Sequence, residues 1–497
     1  MVNCIWNSGY IVIRENTASI LEMSRNVIWK LLDLQPKQLV SIVLRRKKLV
    51  EKELYLKFKE ENVMAYHTKT DLRNKVIYSV YVRNYSEEGT FAAVEKDLDR
   101  IKELGVDIIW FLPIYPIGQE KRKGTLGSPY AIADYRKVNP ELGTMDEFKH
   151  LVEEIHLRGM KCMLDIVYNH TSPDSWLAKN HPEYFYKTPE GEMGNRVGDW
   201  GDIVDLDYGN EELWEYQMDT LKMWAGIVDG FRCDVAPLVP LAFWLKAREE
   251  VAAVNPECIW LSESVEPEFI LDLRARGMTS LSDSQIFQAF DMCYDYDIYK
   301  YFRQYLKGEG TLSRYAEAVN MQEYIYPANY VKMRYLENHD QERAKKIIPE
   351  EEALRNWTAF IYFQKGAALL YAGQENQNET SPDLFNKDVI NLDGSHDISD
   401  MLKQLYQVKK LPVVAESSYH LSADDELGAV VGEHKKVQGT DRLLGIFSFE
   451  GKSGQIKTGM QDGTYINMAD GKEVQIKDGK IDLKACPVIM EERGNRH

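Results

Sequence analysis

Several features that define whole classes of protein are scarce or missing in this chain of 497 residues. Its six cysteines have no short paired spacing, so we interpret them as reduced core residues rather than as a disulfide framework or a zinc site. No stretch of about 18 apolar residues is present that would cross a bilayer as a helix. A Gly-x-x-x-x-Gly-Lys-Ser/Thr loop is also missing, which argues against binding of a nucleotide through its phosphates.

Positive charge is in deficit as well. The chain has 61 basic and 78 acidic residues, a formal net charge of −17. Nucleic acid and anionic membranes would be repelled by such a surface, so we expect neither as a partner. The N-terminus lacks a basic segment followed by an apolar stretch and a small-residue cleavage site, and we therefore expect a cytoplasmic protein.

Short β-branched or aromatic runs alternate with amphipathic segments from residue 76 onward. This alternation is typical of repeated βα units around a parallel sheet. Eight runs can be counted, which is the number of strands in a (β/α)8 TIM barrel. The expected strands are 76–82, 108–113, 161–168, 230–235, 259–265, a weaker one within 285–292, 331–337 and 367–371.

The segments between these runs predict helices at 91–104, 144–158, 211–225 and 240–254, because apolar residues recur there at helical spacing. Thr144 is a candidate N-cap, and Gly105 and Gly159 follow two of the segments as C-terminal stops.

Domain boundaries are predicted where the alternation of strands and helices stops. Residues 169–207 have little periodicity, and a loop of that length predicts a subdomain inserted after the third strand. Beyond residue 412, alternating segments at 443–449, 463–468, 473–476, 480–483 and 487–490 predict an antiparallel β-sandwich domain. We therefore divide the chain into an N-terminal extension of unassigned role (1–74), a catalytic barrel (75–412) and a C-terminal β domain (413–497). In the extension we expect a helix or two within 18–63, and we interpret the basic cluster 45–48 as a solvated helix face.

Charged and polar side chains close four of the predicted strands. Active sites of such barrels lie at the carboxyl ends of the strands, so these side chains are expected to converge. A single buried carboxylate is usually structural, but several carboxylates with one arginine and two histidines are difficult to bury without pairing or shifted pKa values. The set consists of Asp165, Asn169 and His170 on the third strand, Arg232 and Asp234 on the fourth, Glu263 on the fifth, and His339 and Asp340 on the seventh.

In order and in strand placement, these four segments resemble the four short motifs of the alpha-amylase family of retaining, alpha-glucan-acting glycoside hydrolases. The resemblance covers the barrel, and the C-terminal β domain also resembles that of the family. It does not reach the first seventy or so residues.

The resemblance implies a role for each matching residue. Asp234 matches the nucleophile, Glu263 the general acid/base, and Asp340 the carboxylate that binds sugar hydroxyls and helps the transition state. Arg232 matches the residue that holds the nucleophile ionised, so we expect it to lower the pKa of Asp234, while burial should raise that of Glu263.

Three further positions match substrate-binding residues of the family. Tyr130 corresponds to the tyrosine that stacks under the reacting sugar, and His170 and His339 correspond to histidines that hydrogen-bond its hydroxyl groups. Asp165 matches a carboxylate that supports the site without taking part in bond breaking.

A structural calcium ion is the one cofactor that the resemblance raises, because Asn169 matches a calcium ligand of many members. The segment 235–238, which follows the nucleophile position, replaces a Lys-His pair and removes one expected ligand. We therefore expect no required cofactor and assign no metal-binding residues.

The substrate is expected to be an alpha-glucan or malto-oligosaccharide, hydrolysed by double displacement as in an alpha-amylase, a cyclomaltodextrinase or an alpha-glucosidase. The segment 230–235 is similar to that of intracellular members acting on short substrates, whereas 203–207 resembles the amylase-like form of a fifth motif, so specificity stays open. A transglycosylase or isomerase of the same family is the alternative. A non-catalytic relative is a third, which the intact set of catalytic residues disfavours.

Overall fold

The computed structural model of this protein describes residues 3–7, 10–14, 68–198, 200–394, 396–436 and 441–492. The N-terminal unit, Met1–Val63, contains in that range an antiparallel pair of strands, Asn3–Asn7 and Tyr10–Arg14. The helices expected within 18–63 and the basic cluster 45–48 lie outside the described residues. The second unit, Met64–His497, contains the barrel and the C-terminal sheets.

Eight parallel strands form a closed barrel, as the sequence predicts. Each strand pairs with the next one along the chain, and the last pairs with the first. The strands are rich in β-branched and aromatic residues and are almost entirely buried, because helices cover the outside of the sheet. We number them β1 (Val76–Val80), β2 (Ile108–Phe111), β3 (Lys161–Ile166), β4 (Gly230–Cys233), β5 (Ile259–Ser262), β6 (Met292–Tyr294), β7 (Val331–Arg334) and β8 (Ala367–Tyr371).

Helices fill the connections between the strands. Thr144 caps one of them with a capping box, in which its side chain accepts from the Glu147 N–H and Glu147 accepts from the Thr144 N–H. The α-helices of the described residues are Val82–Tyr85, Phe91–Glu95, Leu98–Glu103, Met145–Leu157, Trp176–Asn180, Glu211–Ala225, Leu241–Ala252, Pro267–Ala275, Asp283–Ile286, Tyr296–Leu306, Leu312–Ile325, Ala344–Ile347, Glu351–Phe363, Ser399–Lys409 and Pro412–Glu416. None of the helices in the described ranges combines the length and the apolar character that crossing a bilayer requires.

The sixth strand is displaced from its predicted place. The segment expected within 285–292 begins in the helix Asp283–Ile286, and β6 overlaps it only at its last residue. A capping box between Ser282 and Gln285 starts the helix, and further backbone bonds continue the winding to Phe290. A short apolar run fits a buried strand and a buried helical turn equally well, and here the capping residues decide.

The helix predicted over 91–104 is interrupted. It consists of Phe91–Glu95 and Leu98–Glu103, with Lys96 and Asp97 between them. The Asp97 carboxylate accepts hydrogen bonds from Arg100 and from the Tyr85 hydroxyl, which holds the chain at the break. The apolar spacing continues across this break, so periodicity alone does not reveal it.

The C-terminal region is an antiparallel β domain, as expected. Four strands form its main sheet, and two of them, Ser417–Asp424 and Ala429–Lys436, are missing from the sequence prediction. The other two are Arg442–Ser448 and Val488–Glu492. Two smaller pairs, Gln455–Lys457 with Lys480–Asp482 and Gly463–Ile466 with Glu473–Ile476, accompany this sheet. The proposed boundary at residue 413 falls in the helix Pro412–Glu416 and stays a prediction.

Candidate active site

A cavity of about 290 Å3 lies at the carboxyl ends of the barrel strands. Its lining comes from the loops after β2, β3, β4, β5, β7 and β8, so the barrel mouth joins residues that are far apart in the sequence. Five of the seven predicted site residues line this cavity, namely Tyr130, His170, Asp234, Glu263 and Asp340.

Arg232, the sixth predicted residue, lies behind the cavity and is fully buried. It faces Asp165 across the neighbouring strands β4 and β3, and its Nη1 donates to Asp165 Oδ1 at 2.9 Å. The same nitrogen donates to Asp234 Oδ1 at 3.0 Å, and Nη2 lies 2.8 Å from Glu263 Oε1. One guanidinium therefore contacts three carboxyl groups and is the nearest positive charge to all of them.

His339, the seventh, is also buried and contacts other site residues. Its Nε2 lies 2.7 Å from the Tyr130 hydroxyl and 3.0 Å from Asp340 Oδ2, and its ring stacks on that of Tyr130. The Tyr130 hydroxyl donates in turn to Asp165 Oδ2 at 3.1 Å. This chain of contacts links the residues after β2 and β7 to the charge cluster around Arg232.

Hydrogen bonds to neighbouring residues hold the turn that contains His339 and Asp340. Glu337, which is buried, accepts from Arg343 at 2.7 Å and from the Ala344 N–H. Asn338 Oδ1 accepts from the Asp340 N–H at 2.9 Å. These hydrogen bonds restrict the backbone conformation of the turn. They therefore fix the direction in which the Asp340 side chain points.

The backbone directly after Asp234 is strained. Val235 has a φ of +35° and a left-handed conformation, which β-branched residues rarely adopt. Strain of this kind costs about 1–3 kcal/mol and persists only where the surroundings enforce it. In this left-handed conformation the Val235 N–H donates to Glu263 Oε2 at 2.8 Å.

Burial dominates the acid–base properties of the three carboxyl groups around Arg232. It raises the pKa of Asp165 to about 6, that of Asp234 to about 7 and that of Glu263 to about 8. The increase for Glu263 agrees with the expectation. The expected decrease for Asp234 is wrong, because Arg232 shares its single charge among three carboxyl groups and removal from water outweighs its attraction.

Two other groups are shifted in the opposite direction. Burial lowers the pKa of His170 to about 4, so its imidazole is neutral at pH 7. Burial alone would raise the pKa of Asp340, but attraction to and hydrogen bonding with His339 hold it below its usual value. The cluster thus places a neutral imidazole and an ionised carboxylate on the cavity wall.

Several residues that line the cavity are not predicted from the sequence. They come from three loops, and only the folded barrel brings those loops together. The abundance of Trp and Gly in residues 169–207 and the motif-like segment 203–207 are the local signals, and they point to a loop rather than to particular side chains. The residues are Lys123, Ser128, Trp200, Asp202, Ile203, Leu384 and Phe385.

Comparison with models of known protein families identifies the family of this chain. The model of the alpha-amylase catalytic domain matches residues 62–194 and 198–409, which together exceed half of the chain. The chain belongs to the alpha-amylase family. The family predicted from the four motifs is thereby confirmed, and the model of the bacterial alpha-amylase C-terminal domain matches residues 420–490.

Solved structures of two alpha-amylases share this architecture. An alpha-amylase from Lactobacillus plantarum is 48% identical, with a TM-score of 0.83 over 85% of this chain and 100% of that one. A noncanonic maltogenic alpha-amylase from Thermotoga neapolitana is 33% identical, with a TM-score of 0.76 and the same coverage.

Curated relatives include hydrolases and transferases. An alpha-amylase of Haloarcula japonica is 29% identical over 320 residues, 61% of this chain and 44% of that protein. An alpha-1,4-glucan:maltose-1-phosphate maltosyltransferase of Chlorobaculum tepidum is 33% identical over 228 residues, 41% of this chain and 34% of that protein. The chain spans less than half the length of these relatives.

Asn169 is the position that matches a calcium ligand of many family members. A cavity of about 300 Å3 is lined by Asn169, Asp205 and Arg196, among others. Asp205 Oδ1 is buried without a hydrogen-bond partner, which a cation would satisfy. However, Arg196 Nη1 lies 3.7 Å from Asp205 Oδ2 and donates to the Leu206 carbonyl at 3.3 Å.

These residues do not fit a calcium ion. Calcium takes six to eight oxygen ligands, and no group of three or more His, Cys, Asp and Glu side chains is arranged for a metal within the described residues. Arg196 already supplies a positive charge at the Asp205 carboxylate. We therefore propose that the protein needs no calcium.

A chelator is predicted to leave the thermal unfolding temperature and the reaction rate of the protein unchanged. Arg196→Gln should lower the free energy of unfolding by about 1–3 kcal/mol, because the buried Asp205 carboxylate loses its cation. The exposed Arg314→Gln is the control, with no measurable change. A chelator-induced fall in the unfolding temperature that calcium reverses would contradict this prediction.

Proposed function

We propose that this chain hydrolyses alpha-glucosidic bonds of malto-oligosaccharides with retention of configuration. The observation that carries the proposal is the contact of one guanidinium with both Asp234 and Glu263, at 3.0 and 2.8 Å. Two carboxyl groups held by a single arginine side chain are close together. Retaining glycosidases need such proximity, with about 5–5.5 Å between the carboxyl groups, because no water stands between the nucleophile and the sugar.

In the first step Asp234 attacks the anomeric carbon while Glu263 donates its proton to the departing glycosidic oxygen. The ester bond between Asp234 and the sugar forms as the glycosidic bond breaks. A pKa of about 8 keeps Glu263 protonated at neutral pH, which general acid catalysis requires. Arg232 binds Asp234 Oδ1, and the nucleophile can therefore act through Oδ2, which lies 3.9 Å from His170 Nε2.

In the second step Glu263 accepts a proton from water, and the water oxygen displaces Asp234 from the sugar. Asp340, ionised and half exposed at the cavity wall, stabilises the positive charge that develops on the ring in both steps. Tyr130 supplies an aromatic face for the sugar, and the neutral His170 hydrogen-bonds a hydroxyl group. His339 is placed to hold Tyr130 and Asp340.

Transfer of the glucosyl group to another sugar is the second candidate. The maltosyltransferase among the relatives favours it, and the covalent intermediate would be the same. Hydrolysis and transfer differ in which acceptor reaches the intermediate.

Maltoheptaose is predicted to be converted into shorter oligosaccharides whose first products are alpha-anomers. The products would be separated by anion-exchange chromatography, and the anomers would be identified by proton NMR. Asp234→Asn should lower the rate at least roughly 10³-fold, because it removes the nucleophile, whereas the exposed Asp219→Asn should not change it. Products longer than the substrate would establish transfer, and an unchanged substrate would refute the proposed hydrolysis.

The pH dependence of kcat/KM is predicted to be bell-shaped with its maximum between about 7 and 8. The rate rises as Asp234 ionises through its pKa of about 7 and falls as Glu263 loses its proton through about 8. For an aryl alpha-maltoside with a good leaving group, Glu263→Gln should abolish the high-pH fall. An acidic limb near pH 4 would show that Asp234 ionises at its ordinary value and contradict the dominance of burial.

A further inference from the structure

One wall of the active-site cavity is built by three residues from separate loops. Lys123 comes from the loop after β2, Asp202 from the insertion after β3, and Phe385 from the loop after β8. Lys123 Nζ lies 2.8 Å from Asp202 Oδ1 and 5.9 Å from the centroid of the Phe385 ring. We call these three residues the glycon clamp.

The loops that carry the clamp are joined by their backbones. The Leu126 N–H donates to the Phe385 carbonyl at 2.9 Å, and Thr125 donates to Asn386 Oδ1 through both its N–H and its hydroxyl. At Gly124, with a φ of +61°, a Cβ atom would lie 2.6 Å from that of Phe385. The two loops are therefore in direct contact, and only glycine permits an approach this close.

The order of the barrel strands indicates on which side of the reacting bond the clamp lies. The closed order places β5 directly opposite β1, which is flanked by β2 and β8. Glu263 follows β5, whereas Lys123 and Phe385 follow β2 and β8. Since the general acid stands beside the departing oxygen, the strands that precede Lys123 and Phe385 lie across the barrel from it. We infer from this order that the clamp lies beside the part of the substrate that remains on the enzyme.

The cavity is small for a ligand-binding site. Its volume of about 290 Å3 is at the lower end of the range for small-ligand sites. Asp202 is buried at 5% exposure and so is held in place, while Lys123 is 40% exposed and reaches it from the rim. Lys123 and Asp202 offer a donor and an acceptor for sugar hydroxyls, and Phe385 offers an apolar ring face.

We propose that the glycon clamp closes the substrate site on its non-reducing side, so that the enzyme removes short saccharides from the non-reducing end of the chain. The inference rests on the proposed hydrolysis of malto-oligosaccharides and adds the direction and the length of the cut. A substrate whose non-reducing end continues, or carries an added group, would collide with the Lys123–Asp202 pair.

The test compares two forms of maltoheptaose, both labelled at the reducing end. One has a free non-reducing end, and the other carries a 4,6-acetal there. The wild-type protein should release short unlabelled saccharides from the free form and cut the blocked form about tenfold or more slowly, as expected when a pocket rejects a small added group. Equal kcat/KM for the two forms would overturn the proposal while leaving the hydrolase assignment in place.

Variants of the clamp sharpen this test. Lys123→Ala and Phe385→Ala should raise kcat/KM for the blocked form relative to the free form and lengthen the released products. Lys123→Arg should keep the wild-type ratio. The matched control is Lys452→Ala in the C-terminal domain, which removes another half-exposed lysine from an ion pair, here 2.7 Å from Glu450.

The ratio of the two rates compares substrates on the same protein, so a change in the amount of folded variant does not affect it. A ratio that stays at the wild-type value in both alanine variants would overturn the role of the clamp. If neither form is cleaved by the wild-type protein, the proposed hydrolysis fails, and the inference about its direction fails with it.

Discussion

The charge of Arg232 is the constraint on which the active site depends. Three carboxyl groups lie in a part of the barrel that is almost closed to water, and one guanidinium contacts all of them. Removing the partner of a buried charge commonly costs about 3–5 kcal/mol, so this cluster is stable only as a unit. Because one positive charge cannot hold three carboxylates ionised, protons are retained at neutral pH. An enzyme that needs one ionised and one protonated carboxyl group can use this property directly.

The barrel separates the chemistry from the choice of substrate. Arg232 and Asp165 lie within strands, where the register of β3 and β4 fixes their separation. The clamp residues Lys123 and Phe385 lie on long loops, which are held by their contacts with each other. Changes in those loops can alter which saccharide enters without disturbing the charge cluster. This separation of loop residues from strand residues is consistent with a family that contains both hydrolases and transferases.

Much of this arrangement could be predicted from the sequence, and the exceptions have physical causes. The barrel follows from eight apolar runs, and Asp234 and Glu263 follow from their places at strand ends. The sixth strand is not predictable from its apolar run, because capping at Ser282 winds that run into a helix. The raised pKa of Asp234 depends on how many carboxyl groups share Arg232 in space. The contact of Lys123 with Asp202 joins two loop positions that lie outside the motifs. Both are properties of the folded chain alone.

The central claim is that Asp234 forms a covalent bond with the sugar, and trapping that intermediate tests it most directly. The protein would be incubated with a glucosyl fluoride whose ring carries a second fluorine, which slows the release of the sugar from the enzyme more than its attachment. Digestion and mass spectrometry would then locate the added mass. We predict one fluoroglucosyl group per protein, on the peptide and side chain of Asp234. Complete consumption of the glucosyl fluoride with no mass added to the protein would contradict the account. An adduct on Asp165 or Asp340 would contradict it as well.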